Sequence, residues 1–458
     1  MTDDLNCNIG AYGHPLVKTP NIDRLASEGR LFENAFCNFP LCGPSRASFM
    51  TGLYPEQNGV TVLRRLFRNY VPDAVTMSQH FMKNGYTATR VGKIYHYDNP
   101  RGVGTDGHDD PASWQTRINP RGRDKEEEDK IFSLRPGSFG ATLSWLAAEG
   151  TDEEQTDGMV ATQSIELLKR YAKNETPFFL AVGFYKPHTP YVAPKKYFDL
   201  YDPADIEVPK IPEGYLESIP EPAKKTVTAF KDQIDLPEDT ARKAIHAYYA
   251  TISFMDAQIG RVLKSLDALG LRDNTIVLFS SDHGYHMGEH GHYQKQTLFE
   301  DADRVPLILS VPGIKNPGTP TASFAEMIDF YKTLSDLAEL APPPGYVQGN
   351  SLKPILEDPT ARVRDDAFTQ IANGYTLRTR QFRYSRWNIE DPDKRELYNR
   401  IKDPEEMINL AKNPTYQQII ATLDARLNER IAEATTHPEG LTFIPPAPDD
   451  RGIQKQYD

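Results

Sequence analysis

The chain has 458 residues, of which 39% are hydrophobic, and this is enough to build one large globular domain with a smaller companion. Acidic residues outnumber basic ones by 64 to 52, so the net charge of −12 argues against general binding to nucleic acid or to anionic membranes. Three cysteines are too few for a disulfide scaffold, and no apolar run approaches the roughly 20 residues of a membrane span.

Candidate strands and helices alternate through most of the chain. Short apolar runs predict strands at 87–91, 177–184 and 275–280, and amphipathic patterns predict helices at 156–173 and 239–269. This alternation predicts a mostly parallel, doubly wound α/β sheet. In such folds, the loops at the carboxyl ends of the strands carry the chemistry.

Two polar segments interrupt this pattern. Residues 98–134 are rich in glycine, proline and charge, and residues 203–222 are rich in proline, so we expect both to run over the surface. The proline-rich stretch 341–345 marks a boundary between a catalytic domain over 1–345 and a C-terminal subdomain over 346–458.

The C-terminal part has a pattern of its own. Strands are predicted at 375–380 and 382–387, and a helix is predicted at 417–432. A small α+β subdomain is therefore expected.

The most informative segment is 41–52, in which Cys42 stands just before Pro44 and Arg46. Proline suits the first position of a helix, so we expect a helix that starts there and points its free amides at the neighbourhood of Cys42. The guanidinium of Arg46 offers a planar set of donors for sulfate or phosphate oxygens. The segment is therefore predicted to hold an anion against a reactive side chain.

Two acidic pairs are candidate metal ligands. Asp3 and Asp4 stand together near the start of the sequence, and Asp282 and His283 follow the strand predicted at 275–280. Carboxylate oxygens favour Ca²⁺ or Mg²⁺. Taken alone, Asp3 and Asp4 are better explained as a solvated terminus, and Asp282 is better explained as a turn cap.

Basic and histidine side chains follow the predicted strand ends. Lys93 and His96 come after one strand, and His188 lies between two prolines after the next. Lysines and histidines at such positions are more often surface or structural residues when considered singly. A third loop contains Lys295 beside a cluster of three histidines, His286, His290 and His292. We expect these histidines to pack in the protein or to line the pocket, and not to bind zinc.

These motifs resemble those of the type I sulfatases. Residues 42–46 match Cys-x-Pro-Ser-Arg, and Thr-Gly follows at 51–52. Lys-Pro-His at 186–188, Asp-His-Gly at 282–284 and Gly-Glu-His-Gly at 288–291 resemble the iduronate-2-sulfatase branch of that family. The resemblance implies an alkaline-phosphatase-like α/β sandwich, with a central mostly parallel sheet flanked by helices and a C-terminal α+β subdomain with an antiparallel sheet.

The resemblance also implies a site. A formylglycine-generating or maturase enzyme would oxidise Cys42 to formylglycine. A Ca²⁺ ion would be bound next to this residue, with Mg²⁺ as the alternative. The implied metal ligands are Asp3, Asp4, Cys42, Asp282 and His283. The implied catalytic residues are Cys42, Arg46, Lys93, His96, His188 and Lys295. Substrate binding would involve Lys93, His188, Lys295 and Arg64. Arg64 forms a basic group with Arg65 and Arg68, and the default explanation of that group is a solvated helix face.

The implied activity is removal of sulfate from a sulfated carbohydrate. Two alternatives stay open: a phosphonate monoester or phosphodiester hydrolase of the same superfamily, and a catalytically silent protein that binds sulfated glycans.

Family members usually carry a signal peptide and a first core strand ahead of the aspartate pair, and they act in the periplasm or are secreted. Here only two residues precede Asp3, so we expect no signal peptide in the chain as given, and a truncated chain or a misassigned start. Asp3 and Asp4 would then be loosely held at a frayed terminus.

Overall fold

The computed structural model describes residues 1–174, 177–372, 374–388, 391 and 393–453. The strands are, in chain order, β1 (Arg30–Phe36), β2 (Thr87–Gly92), β3 (Thr116–Ile118), β4 (Phe132–Ser133), β5 (Ser144–Ala148), β6 (Phe178–Gly183), β7 (Tyr191–Pro194), β8 (Val277–Ser280), β9 (Leu307–Ser310), β10 (Thr321–Glu326), β11 (Asp366–Ile371), β12 (Gly374–Thr379), β13 (Phe382–Trp387) and β14 (Arg395–Asn399). The α-helices are α1 (Pro20–Glu28), α2 (Cys42–Thr51), α3 (Pro55–Asn58), α4 (Met77–Lys83), α5 (Arg123–Glu126), α6 (Thr156–Asn174), α7 (Lys195–Phe198), α8 (Tyr215–Ser218), α9 (Glu221–Val227), α10 (Glu238–Ala268), α11 (Glu300–Asp303), α12 (Phe330–Leu337), α13 (Lys353–Glu357) and α14 (Gln417–Thr435).

The core is an α/β arrangement whose strands lie in two neighbouring sheets, in the orders β10-β1-β9-β8 and β3-β2-β6. β1 pairs in parallel with β10, and β2 pairs in parallel with both of its neighbours. The predicted mostly parallel core is confirmed, with β9 as an antiparallel exception between β1 and β8. β9 reverses direction because the chain between β8 and β9 folds into a long loop instead of crossing over on a long helix.

The first residues of the chain lie between these two sheets. Thr2 forms a parallel bridge with Ser281, and Asp3 forms one with Pro187. Asp3 and Asp4 are consequently buried, with 0% and 1% of their surface exposed. The expectation of a loosely held aspartate pair is therefore wrong, because backbone pairing on both sides fixes this segment.

Helices α6 and α10 pack against each other beside the β2 and β7 strands. The buried face of α10 carries apolar and aromatic residues such as Ala244, Tyr248 and Ile252 at intervals of four. This face joins the largest hydrophobic core of the molecule. None of the helices in the described part of the chain combines the length and the apolar character that crossing a bilayer requires.

The C-terminal part is a small α+β unit, as predicted. β11 to β14 form an antiparallel sheet in sequence order, and α14 packs on it through Leu423 and Leu427. Arginines of this part neutralise buried acids of the preceding part through ion pairs, namely Arg364, Arg378, Arg383, Arg400 and Arg430 with Glu300, Asp303, Glu326 and Asp329. The two parts therefore share a buried ionic interface, and the boundary at residue 345 stays a prediction.

The two polar segments behave differently. Much of 98–114 is buried, so the expectation of a solvated loop is wrong there. The reason is pairing with distant cations: Asp109 lies 2.9 Å from Arg90, and Asp110 lies 2.6 Å from Arg68. The proline-rich segment 203–222 stays at the surface, anchored by three buried residues, Ile206, Tyr215 and Ile219.

Candidate active site

Helix α2 presents Cys42 at its first residue, with Leu41 as the extended residue before it. The helix therefore begins two residues earlier than Pro44, which is accommodated because the first turn of a helix leaves its N–H groups without intrahelical partners. Gly43 is required by a close contact, since a Cβ there would lie 2.3 Å from the carbonyl oxygen of Leu63. Every residue of this helix is buried.

The Cys42 thiol faces the candidate metal ligands. Its Sγ lies 3.3 Å from His283 Nε2, 3.6 Å from Asp3 Oδ1 and 3.9 Å from Asp4 Oδ1. Burial raises the pKa of the Cys42 thiol well above its ordinary value. An unmodified thiol here is therefore protonated at neutral pH and a poor nucleophile.

The acidic residues converge as the sequence predicts. Ligand atoms of Asp3, Asp4 and Asp282 lie within 4.8 Å of one another, and those of Cys42, Asp282 and His283 do the same. The amide of Asp4 also donates to Asp282 Oδ1 at 3.2 Å, which links the two distant pairs. Three carboxylates and one imidazole form a mostly oxygen donor set, which fits Ca²⁺ or Mg²⁺.

His283 is oriented as a metal ligand. Its Nδ1 lies 2.7 Å from the carbonyl oxygen of Gly284, so Nδ1 carries the proton and donates. Nε2 then keeps its lone pair and lies 3.4 Å from Asp4 and 3.5 Å from Asp282. A carbonyl that fixes the tautomer in this way is the usual partner of a metal-binding histidine.

The guanidinium of Arg46 is directed at protein acceptors. Nε donates to Asp282 Oδ2 at 2.8 Å and Nη2 donates to Asp3 Oδ1 at 3.1 Å. Its remaining hydrogen bonds go to backbone carbonyls of Thr2, Lys93 and Ile94. The expectation that this fork faces a bound sulfate or phosphate is corrected: Arg46 offsets the charge of two candidate metal ligands, Asp3 and Asp282.

Two lysines face the same cluster from different loops. Lys93 Nζ lies 2.5 Å from Asp3 Oδ2, and Lys295 Nζ lies 2.6 Å from both oxygens of Asp4. Desolvation acts to lower the pKa of Lys295, but the negative charges around it, that of Asp4 first, and its hydrogen bond to Asp4 together outweigh desolvation and raise that pKa above its ordinary value. Lys295 therefore remains a cation that donates hydrogen bonds inside a buried site.

The loop after β6 places His188 beside the cluster. Asp157, on α6, accepts the amides of Tyr185 at 2.8 Å and Lys186 at 2.9 Å and so fixes the start of this loop. His188 Nδ1 donates to the carbonyl oxygen of Thr189 at 2.6 Å, which leaves Nε2 at 3.7 Å from Asp4 Oδ2. Desolvation lowers the pKa of His188 well below its ordinary value, so the ring is neutral at neutral pH.

His96 and Arg64 meet at a carboxylate that the sequence reasoning missed. His96 Nε2 and Arg64 Nε lie 3.4 Å and 2.9 Å from the same oxygen of Asp98. Burial lowers the pKa of His96 to about 3, and the positive charge of Lys93 adds to that effect. Arg64 lies in a turn, not on a helix face. The available signal was an acidic residue two positions after a strand-end histidine.

The histidine cluster near Lys295 packs into the protein, as expected. The His290 ring stacks on Phe299 with centroids 3.8 Å apart, and His286 Nε2 lies 2.8 Å from the hydroxyl of Thr297. Both nitrogens of His292 lie within hydrogen-bond distance of backbone carbonyls.

The profile of the sulfatase family matches residues 1–340, and that of the C-terminal region of N-sulphoglucosamine sulphohydrolase matches residues 288–433. Iduronate 2-sulfatase of Mus musculus is 34% identical in an alignment of 386 residues that covers 75% of this chain and 68% of the relative. The chain belongs to the sulfatase family. A sulfatase of Formosa agariphila is 32% identical to it in an alignment of 444 residues that covers 93% of this chain and 84% of the relative. This sulfatase is a sulfuric ester hydrolase.

Solved structures confirm the alkaline-phosphatase-like fold of the sulfatase. The phosphonate monoester hydrolase of Silicibacter pomeroyi superposes with a TM-score of 0.77 at 22% identity, over 95% of this chain and 94% of that one. A structure solved with its substrate D-glucosamine-2-N,6-O-disulfate superposes with a TM-score of 0.74 at 22% identity, over 95% and 97% of the two chains.

Proposed function

We propose that this sulfatase removes sulfate from a sulfated carbohydrate, with a nucleophile formed from Cys42 and a bound divalent cation. The observation that carries the proposal is the buried cluster around Cys42. Two of the metal-ligand residues that line it, Asp3 and Asp282, are bound to Arg46, and the lysines Lys93 and Lys295 face it. The cluster joins residues as far apart in sequence as Asp3 and Lys295, and the Cys42 thiol lies among them.

The state of Cys42 supports modification. A thiol whose pKa burial has raised is not a nucleophile at neutral pH, whereas hydrated formylglycine supplies a hydroxyl nucleophile and a second hydroxyl. A formylglycine-generating or maturase enzyme is thus part of the proposal. The resemblance of residues 42–46 to the sulfatase signature supports the same assignment.

The charges of the cluster support a metal. Asp3, Asp4 and Asp282 carry three negative charges, which the cations Arg46, Lys93 and Lys295 balance. A divalent cation then provides the excess positive charge that attracts a sulfate ester. The ion, Ca²⁺ with Mg²⁺ as the alternative, would be held by Asp3, Asp4, Asp282, His283 and residue 42, and it would lower the pKa of a hydroxyl bound to it.

The remaining side chains suit sulfate binding and departure of the alcohol. Lys93 and Lys295 are fixed cations that can donate to the oxygens of the sulfuryl group. Lys295 also stays protonated and can donate to the ester oxygen. His188 Nε2 faces the same carboxylate as Lys295, so it is positioned to deliver a proton to the leaving alcohol once the ring is charged.

Relatives support the substrate class. Besides iduronate 2-sulfatase, an enzyme named an ulvan-active sulfatase from Formosa agariphila is 29% identical over 93% of this chain. We propose a sulfated polysaccharide or glycosaminoglycan as substrate, with an iduronate-2-sulfatase-like preference for a uronic acid 2-O-sulfate. Because such polymers lie outside the cytoplasm, we propose a periplasmic or secreted location.

The test is a comparison of substrates on protein produced together with a formylglycine-generating enzyme. We expect a 2-O-sulfated uronic acid disaccharide and an aryl sulfate to be hydrolysed, with aryl phosphonate monoesters and phosphodiesters at least about tenfold slower in kcat/KM. A preference for the phosphorus esters would establish the phosphonate monoester or phosphodiester alternative instead. Binding of the disaccharide without turnover would establish the silent binding protein.

A further inference from the structure

We infer that Asp98 is the positioning residue of His96: its carboxylate keeps the proton on Nε2, so that Nδ1 is the atom of the ring that acts as a base. The inference rests on the proposed function, because it assigns His96 to the release of sulfate from residue 42. It concerns a residue outside the sulfatase motifs, which end at His96 in this loop.

The contact geometry gives Asp98 two partners on one oxygen. Oδ1 accepts from Arg64 Nε at 2.9 Å and from His96 Nε2 at 3.4 Å. Asp98 and His96 are both buried, with 8% and 6% of their surface exposed. Desolvation acts to raise the pKa of Asp98, but the hydrogen bonds from His96 and Arg64 hold it well below its ordinary value. Asp98 is therefore an ionised acceptor.

An ionised acceptor at Nε2 decides the tautomer of His96. A neutral imidazole has one N–H, and the carboxylate keeps it on Nε2. Nδ1 then carries the lone pair. This atom is buried, and among the described residues it has no hydrogen-bond partner. A lone pair that no protein donor occupies is available to accept a proton from a bound group.

Further contacts hold the backbone and the ring of His96 in place. The ring of His108 lies beside that of His96, with centroids 5.3 Å apart and planes tilted by 32°. The amide of His108 donates to the carbonyl oxygen of His96 at 2.8 Å. On the other side of Asp98, the carbonyl oxygen of Arg64 accepts the amide of Ile453 at 2.9 Å, which fixes the turn that carries Arg64. Besides Arg64, Lys93 is a cation close to His96, and its positive charge disfavours protonation of the ring.

These contacts fit the second half of the proposed reaction. After the alcohol has left, residue 42 carries the sulfate group and one hydroxyl on the same carbon. His96 Nδ1 takes the hydroxyl proton, and the electron pair of that O–H bond forms the C=O bond of the aldehyde. The bond from this carbon to the sulfate oxygen breaks, and sulfate leaves with the electron pair. Asp98 stabilises the positive charge of the ring until water takes the proton.

The kinetic test compares Asp98→Ala with Asp110→Ala. Asp110 is the matched control, because it is a buried aspartate of the same segment whose side chain pairs with Arg68 at 2.6 Å and accepts from Ser113, instead of accepting from His96. With an activated aryl sulfate, we expect Asp98→Ala to lower kcat about 10- to 100-fold, the range typical of such supporting residues, with a burst of phenol equal to the enzyme concentration. The control should keep kcat within about twofold of the parent, with no burst. Equal losses in the two variants, or a slow first turnover in Asp98→Ala, would overturn the inference.

A second readout is independent of turnover. In protein labelled with ¹⁵N-histidine, the NMR signals of the His96 ring can be assigned by their loss in His96→Ala. They should show Nε2 protonated and Nδ1 unprotonated in the parent and in Asp110→Ala. Asp98→Ala should mix the two tautomers, and unchanged signals would overturn the inference. Should Asp98→Ala fail to fold, Asp98→Asn provides the same comparison. If the parent shows no sulfatase activity, the proposed function fails, yet the ring signals still decide whether Asp98 fixes His96.

Discussion

Arg46 and Asp282 form an ion pair with no solvent exposure: Nε lies 2.8 Å from Oδ2, and both side chains are completely buried. The same guanidinium also binds Asp3, so one residue connects helix α2, the start of the chain and the loop after β8. Residues 3, 46 and 282 are far apart in sequence. Their contact is therefore a product of the completed fold, and it couples stability to the integrity of the site.

Loss of Arg46 should strongly destabilise the protein. In Arg46→Ala, the buried carboxylate of Asp282 loses its guanidinium partner and Asp3 keeps only Lys93, so we expect the free energy of unfolding to fall by about 3–5 kcal/mol in urea titrations without added metal. Arg24→Ala is the control, because Arg24 forms an exposed pair with Asp267 at 2.9 Å and should cost less than about 1 kcal/mol. Losses of equal size would contradict the role of Arg46.

Calcium should stabilise the protein through the carboxylate cluster. A site that exists only in the folded state adds about 2.7 kcal/mol at a calcium concentration of 100 times Kd, so the melting temperature should rise with calcium and fall again with chelator. His283→Ala removes the one nitrogen ligand, and we expect calorimetry to show about tenfold weaker binding, which is about 1.4 kcal/mol. His437→Ala is the control, because that ring packs on Phe443. An unchanged Kd in His283→Ala would refute the ligand assignment.

His188→Ala should discriminate between leaving groups. A proton donor matters most when the departing alkoxide is basic, so kcat/KM should fall further for sulfated sugars and for aryl sulfates of weakly acidic phenols than for activated aryl sulfates. The dependence of kcat/KM on the pKa of the leaving group measures this, and it should steepen in the variant. A uniform loss across the series would remove the acid role and leave only substrate binding.

A fragment containing residues 1–345 should not fold by itself. In it, Glu300, Asp303 and Glu326 would lose the C-terminal arginines that pair with them, and breaking such a buried pair costs about 3–5 kcal/mol. We expect circular dichroism and limited proteolysis to show an unfolded or aggregated fragment. A cooperative thermal transition in that fragment would show instead that the boundary separates independent domains.

Much of the fold follows from local patterns. The helix predicted at 239–269 spans 238–268, and the strand predicted at 382–387 is found with those bounds, because long periodic segments and compact β-branched or aromatic runs are locally determined. The antiparallel direction of β9 and the burial of 98–114 were not predictable in this way. Both depend on partners that lie far away along the chain.

The same distinction between local patterns and distant contacts applies to the candidate site. Motifs indicated which residues meet, and Asp3, Asp4, Cys42, Asp282 and His283 do lie together. Motifs did not indicate what each side chain faces: the donors of Arg46 point to protein carboxylates, a contact that its sequence position does not encode. Asp98 and Asp157 were missed because their roles consist only of contacts with neighbouring functional residues.

The central claim is that the oxidised side chain at position 42 performs the hydrolysis. The most direct test measures sulfate release per protein molecule in preparations that differ in the aldehyde fraction at position 42, quantified by the mass of the peptide that carries it. The account predicts that turnover is proportional to the aldehyde fraction and vanishes in Cys42→Ala, while the melting temperature changes little. Full turnover in a preparation that contains only the thiol would contradict it.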